Sequence, residues 1–539
     1  METKGYSLDK TNSGHFTTDN LSGGTFTFED FKAEIDEGRP VILELTGHTV
    51  VAYGYYTDAE NKNWIVFDDT YSANCVMQWD GDYHYANDDR SIQYATIIRF
   101  DTSGMTSLDD PSSGTGDRTV VSEGTTDLDR QFISGYDFTE TAVLNILSGG
   151  IASDTAVYSG GQINVRSGGT ALATQVRSGG VMTMSSGGSA GQTTVRTGGS
   201  AVFLGGNASG TLISGGSAKI TGSTTAQNTT VSSGVLYAAD GANLQGVLLQ
   251  GGSVCIGITS YGDSAGTAAY ASDITISLGT LFLYSSSVLA GRTTISNGAM
   301  LNVSNGTVEN LELGNATVNL YGPETSVQSL TMHGGQLFNS QGVVRNAVVS
   351  GGELRLCSGA SASGVTLWGS ESSSSWSGGS MNLLAGVTAE AVVLEGGRLN
   401  TTYNAVVRDL TISAGTADIV RNAVLSGANV SGGVLKISSG AIVTGALNIC
   451  GGDVYANKDV ALSSVYLSGS GHMVLSGTAS LSGASVDEDA ILWAVSGAAL
   501  ASVSIGGAGT IYLGYLNNSA SGSEFAATAS DTVLTGGLM

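Results

Sequence analysis

The sequence predicts a mainly β protein: a long β-solenoid preceded by a small α+β domain at its amino end. Composition is the first reason. Of 539 residues, 79 are Gly and 3 are Pro, 41% are hydrophobic and 12% charged. Collagen needs abundant proline and a glycine at every third position, and a disordered chain shows more charge and less apolar content. The second reason is a recurring turn. The first glycines of successive pairs fall at Gly149, Gly160, Gly168, Gly179, Gly187 and Gly198, in steps that alternate between 11 and 8. The third is alternation between turns: Ile163 and Val165, Met182 and Met184, and Val202 and Leu204 each lie two apart, the period of one face of a strand.

The alternating steps give a coil of 19 residues, as in Gly149, Gly168 and Gly187. Glycine every few residues rules out long helices, and a tight corner calls for the positive φ that Gly adopts at little cost. Outward side chains are then free to vary. Stacked coils of this kind make a solenoid. Roughly 400 residues predict about 21 coils, a rod on the order of 100 Å at ~4.8 Å per coil. The structural competitor, an up-and-down barrel, predicts antiparallel hairpins of about 10 residues with no superperiod. The pattern loosens downstream but persists, as in EGGRL (395–399), SGGVL (431–435) and CGGDV (450–454).

SGGTALATQVRSGG (167–180) and SGGSAGQTTVRTGG (186–199) resemble the AIDA-type repeat of autotransporter adhesins, most clearly over 145–235. The resemblance implies a right-handed parallel β-helix passenger, exported and displayed at the bacterial surface or secreted. It implies as partners surface glycans or proteins, or self-association through the solenoid. Autotransporters end in a membrane barrel, whereas the closing stretch SDTVLTGGLM still reads as repeat. A third reading, a trimeric tailspike-like β-helix, predicts a stable trimer.

Little in the solenoid suggests chemistry. Calcium-binding nonapeptides need Asp at a set distance after the glycine pair, and glycosidases need clustered carboxylates. Glu309, Glu312, Glu353, Glu395 and Asp453 are instead scattered and are expected at solvated outward positions. His333 and His472 stand alone and receive no role. No cofactor or metal is expected. The net charge of −25 argues against nucleic acid, which needs clustered Lys and Arg. Cys75, Cys255, Cys357 and Cys450 form no CxxC and are expected to be buried single thiols. METKGYSLDK lacks the apolar core of a signal peptide, and no stretch holds the ~18 apolar residues of a membrane helix.

Charge marks off the amino-terminal part. About 26 acids and about 9 bases fall in the first 140 residues, against about 20 and about 12 in the rest. Residues 1–25 read as loop or linker. FTFEDFKAEIDEG (26–38) has Phe28, Phe31 and Ile35 at helical spacing. VILEL (41–45), TVVAYGYY (49–56), WIVF (64–67) and SIQYATIIRF (91–100) read as strands, with a polar turn at 58–63. Residues 101–140 read as a Ser/Thr/Gly/Asp linker, with the solenoid occupying 141–539.

The order GRPV, GHTVVAYGY, NWIVFDDTY, MQWDGDY resembles the carboxyl-terminal half of papain-like cysteine peptidases, especially the bacteriocin-processing group. The resemblance implies a half-domain of that fold with His48 as general base and Asp69, or alternatively Asp68, orienting the imidazole. It implies Trp79 as a shield for that pair. The nucleophilic Cys should precede the His, and residues 1–47 contain none; Cys75 follows it, on an expected loop. Two other readings stay open. His48 is a satisfied strand-end histidine, or the chain is a piece of a surface cysteine peptidase whose nucleophile lies upstream.

Overall fold

The computed structural model describes residues 14–36, 39–58, 60–68, 75–85, 88–98, 119–121, 124–128, 130–260, 267–372, 375–495, 497–514 and 527–535. About 65% of the chain is strand and 2% helix. It divides into unit 1, Met1–Asp117, and unit 2, Arg118–Met539.

Unit 1 is one antiparallel sheet and one helix. The strands are β1 (Gly14–Thr17), β2 (Val41–Leu45), β3 (His48–Thr57), β4 (Asn63–Asp68), β5 (Cys75–Gln78), β6 (Asp82–Tyr85) and β7 (Asp88–Ile97), with α1 at Phe28–Asp36. The sheet order is β1-β7-β2-β3-β4-β5, and β6 pairs with β7. Helix α1 starts at a reciprocal cap: Thr27 N–H donates to Asp30 Oδ2 at 2.8 Å, and Asp30 N–H to Thr27 Oγ1 at 3.3 Å. Its buried Phe28 and Phe31 pack into a core with Leu43, Val50, Ile65, Phe67 and Met77. The β3–β4 turn is held by Asp58, whose carboxylate accepts the N–H groups of Lys62 and Glu60 (2.9 Å each) and Trp64 Nε1–H (2.8 Å). The Lys62 bond first, then the Trp64 bond, lowers the carboxyl's pKa.

Three sequence expectations are corrected here. Residues 14–17, read as linker, form β1 and pair with β7 from Gly14↔Ile97 to Thr17↔Tyr94. Backbone bonds to an edge define that strand, and four residues are too few to show a period. Cys75 lies at the head of β5, opposite Phe67, rather than on a loop. The stretch 101–140 is not linker throughout: Thr119–Val121 and Thr125–Leu128 already pair in parallel with Tyr136–Phe138 and Val143–Ile146. Those first rungs are polar outside and present few inward apolar residues, chiefly Leu128 and Phe138.

Unit 2 is a β-solenoid of about 20 turns. Its coils pair in parallel, which removes the barrel alternative. Val143 pairs with Gln162, Gln162 with Val181 and Val181 with Ser200. The coil has three strand positions and therefore three faces. Face 1 runs through 143–146, 162–165 and 181–184; face 2 through 151–153 and 170–172; face 3 through 156–157 and 175–176. Inward residues of successive coils stack into apolar columns, such as Ile146, Val165, Met184, Phe203 and Ile220, all fully buried. Where Phe203 fills the interior, its rung partner is the small Ala201.

Each paired glycine has two jobs. Gly179 sits at φ 70°, the left-handed region that other residues enter at a cost. Gly180 faces a different constraint: a Cβ there would run into the carbonyl oxygen of Val157, one coil earlier. In this pair the first glycine turns the chain and the second lets neighbouring coils approach; in later pairs such as Gly334–Gly335 and Gly451–Gly452 the second glycine holds the positive φ. The paired corners mark only two of the three corners of a coil. The third, between faces 2 and 3, is one residue at positive φ: Asp154 (46°), Ala173 (51°), Gln192 (54°), Asn228 (54°). In other coils a single glycine takes this corner, as at Gly210 (64°), Gly246 (71°) and Gly483 (65°).

Candidate functional site

The region singled out in the sequence lies at one end of the unit 1 sheet. Strands β2 and β3 are joined by Thr46–Gly47, and His48 is the first residue of β3, opposite Leu45. The turn is anchored to β7. Thr46 N–H donates to Ser91 O at 3.0 Å, Gln93 Nε2–H donates to Thr46 Oγ1 at 2.9 Å, and Thr46 Oγ1 lies 3.3 Å from Ser91 Oγ. His48 is half-buried and, by strand alternation, shares the side of the buried Val50 and Ala52. Asp68 ends the neighbouring β4 opposite Val51. It is exposed on the other side of the sheet and accepts the Tyr53 hydroxyl at 2.9 Å. Asp69 lies outside the described residues.

Trp79 does not serve the role expected of it. Its backbone N–H donates to Asn63 O at 2.8 Å, and Asn63 pairs with Thr57, so Trp79 sits at the far end of β3. Nine strand steps put roughly 30 Å between that end and His48. The indole is 4% exposed, packs against Phe26, Phe28 and Phe31, and donates Nε1–H to Asp19 at 2.9 Å. It is a core residue under α1. Cys75 shares the end of the sheet where His48 lies but is two strands away; its sulfur accepts the Tyr83 hydroxyl at 3.4 Å. All four cysteines are free thiols, and only Cys255 is buried; Cys450 is exposed. Burial pushes the Cys255 thiol up to about 11.

Stacking creates clusters that the linear sequence hides. Glu312 accepts Arg292 Nε–H at 2.7 Å and lies 4.0 Å from His333. Asp453 lies 3.1 Å from His472 Nδ1. The His472 ring meets Trp493 edge-on at 5.5 Å, and Trp493 stacks on Tyr512 at 5.9 Å. These residues stand about one coil apart, so only the 19-residue period could have brought them together on paper. In unit 1, His15 lies 2.9 Å from Thr96 Oγ1 and 3.6 Å from Glu44, and stacks on Tyr94 at 5.0 Å. No sequence signal marked His15, because β1 itself was unread. Among the described residues no group of three or more His, Cys, Asp or Glu could hold a metal ion. No described helix is long and apolar enough to cross a membrane.

No family model matches the chain, and no curated protein matches it. Among solved structures, one similar chain is the crystal structure of the TibC-catalyzed hyper-glycosylated TibA55-350 fragment. It is 23% identical, with a TM-score of 0.25, over 60% of this chain and 93% of that one. The assignment of a β-solenoid rests on this chain's own strand register.

Proposed function

We propose that this is an adhesin-like repeat protein, surface-displayed or secreted, whose solenoid holds its target through many weak contacts. The observation that carries this reading is the character of the outward positions. Over about 20 turns the coils offer mostly Ser, Thr, Asn and Gln. Glu312 and Asp453 stand beside basic or imidazole groups, and Glu353 accepts an amide N–H from Asn382 at 2.7 Å. Such a surface suits repeated polar contacts whose strength comes from multivalency. Display of the full chain on a non-adherent bacterium tests it. The reading expects retention on glycan- or matrix-coated surfaces well above an undisplayed control; equal retention sinks it.

A second reading applies to unit 1. His48 opens β3 and the next strand ends at Asp68, which supports a papain-like half-domain with its nucleophile elsewhere. On this reading Asp69 is the orienting group, with Asp68 as the alternative. A papain-type step needs a thiolate that the sequence does not place before His48. The expected result is therefore no hydrolysis of peptide substrates by this chain alone. Turnover that disappears in His48→Ala would establish the enzyme reading instead.

A further inference from the structure

The adhesin-like reading leaves open which coils hold a target and what that target carries. We infer that the early coils bind the acidic end of a glycan, a terminal sugar bearing a carboxylate, through Arg177 and Arg196. The inference rests on the adhesin-like reading and adds the place and the ligand class.

The first argument is charge. Residues 155–239 contain Arg166, Arg177, Arg196 and Lys219 and no acid, in a chain of 46 acids and 21 bases. At the average of the solenoid, about four acids would fall in a stretch of that length. It is a basic window in an acidic protein, and a local positive potential recruits anions. The second argument is register. Bases in later coils stand opposite carboxylates one coil away: Arg408 pairs with Glu390 and Lys436 with Asp418, and Arg292 donates to Glu312. Arg177 differs. Val176 pairs with Val195, and Gly179 N–H donates to Gly198 O, so Arg177 stands in register with Arg196. Like charges directly opposite each other cost stability, and an anion held between them turns that repulsion into attraction. The Arg177 guanidinium is already held in place. Its carbon lies 5.1 Å from the ring centre of Tyr158, and Nη2–H donates to Gln175 Oε1 at 3.0 Å.

The third argument is fit. A planar guanidinium takes a carboxylate through two parallel N–H bonds. Each of the two arginines is followed by an exposed corner hydroxyl, Ser178 or Thr197, which suits the hydroxyls of a sugar ring, directly or through water. Arg166 directly follows the face 1 strand 162–165, and Lys219 pairs with Val202 on the same face, so both add to the local potential. The window is also short. Asp154 and Asp240 bound it in sequence, about four coils apart along the rod, a length of roughly 20 Å. A polyanion laid along the rod would meet carboxylates beyond both ends. One acidic sugar at the end of a glycan stays within the window.

The test uses the full chain and a variant combining Arg177→Gln and Arg196→Gln. A second variant combining Arg345→Gln and Arg408→Gln is the control; it removes the same charge from exposed positions in later coils. All four side chains point outward, so the β circular dichroism and the melting of each variant should match the parent. Probes are sialyllactose, a disaccharide ending in glucuronic acid, neutral lactose and heparin, each immobilised at equal density and read by surface plasmon resonance. The inference expects at least one of the two acid-ended probes to bind tenfold or more tighter than lactose. That binding should weaken tenfold or more in the early-coil variant, weaken as salt rises from about 0.05 M to about 0.5 M, and stay unchanged in the control. Lactose bound as well as the acid-ended probes overturns the ligand class, as does binding to heparin alone. Acid-ended binding that survives the early-coil variant, or falls equally in the control, overturns the site. Failure of both acid-ended probes while the parent is still retained in the display assay overturns this inference and leaves the adhesin-like reading standing. No retention of the parent in that assay counts against the adhesin-like reading itself.

Discussion

The early and late coils of the solenoid solve one packing problem with different residues. From Gly149 to Gly216 the two corners that border face 1 are glycine pairs, and one inward column on face 3 is Thr155, Thr174, Thr193, Thr211 and Thr229, all essentially fully buried. The same column continues as Val365, Val392, Leu410, Ala428 and Leu447 in later coils, also buried. The late corners have lost much of the pairing: Asn404 and Asn422, at φ 60°, stand where the early coils have Gly149 or Gly168. The register nonetheless persists, Thr388↔Val406↔Val424 following the same ladder logic. The lesson is that parallel register and an inward apolar side define this fold, while corner identity and column chemistry can drift.

The largest expected effect breaks the comparison. Leu410→Thr puts an early-coil residue into a fully buried late-coil position, leaving a cavity and burying a hydroxyl. It should destabilise by about 2–4 kcal/mol, from lost aliphatic burial plus a buried polar group. Chemical denaturation followed by far-UV circular dichroism reads it. Next is the early corner. Gly180→Ala forces a Cβ against the Val157 carbonyl oxygen and should cost about 1–3 kcal/mol. At Gly483, the corner between faces 2 and 3 of a late coil (φ 65°, no atom near where a Cβ would stand), Gly→Ala carries only the backbone term of about 1–2 kcal/mol. Equal losses at the two would mean that close approach between coils plays no part.

The interior threonines give a smaller effect of opposite sign. Thr193, Thr211 and Thr229 have buried hydroxyls with no hydrogen-bond partner. Thr193→Val should therefore raise stability by about 1 kcal/mol. A loss instead would mean that water inside the rod pairs those hydroxyls. Thiol reactivity supplies the smallest contrast. Cys255 is buried with its pKa raised to about 11, while Cys450 in a late coil is exposed. Iodoacetamide at pH 8, followed by peptide mapping, should modify Cys450 first and leave Cys255 until unfolding.

Much of this was legible in the residues. The 19-residue spacing of Gly149, Gly168 and Gly187 forecast the coil, and the alternation at Ile163 and Val165 its inward side. Ala173 and Gln192 explain why the third corner escaped notice: left-handed φ leaves no mark when the residue is not glycine. The second glycine's purpose was equally hidden, since Val157 lies a coil away from Gly180. In unit 1 the periods of α1, β2, β3 and β4 were visible, but β1 and β5 are four residues each and gain their order from pairing. Trp79 was misjudged because adjacency to a motif in sequence was taken for adjacency in space, and antiparallel strands reverse that at every turn. The cysteines were expected buried from residue type alone; Cys450, outward in its strand, is exposed, whereas Cys255 is buried although it alternates with the inward Val254 and Ile256.

The most direct measurement is the distance between spin labels at Asn164 and Asn319, outward positions in one face 1 ladder with the native cysteines replaced by serine. The paired residues between them, from Asn164↔Thr183 through Asn302↔Asn319, are eight coil steps. Pulsed electron resonance should then give a single narrow distribution near 38 Å, at ~4.8 Å per step. A broad distribution, or a peak many ångströms shorter, would contradict parallel stacking of the coils.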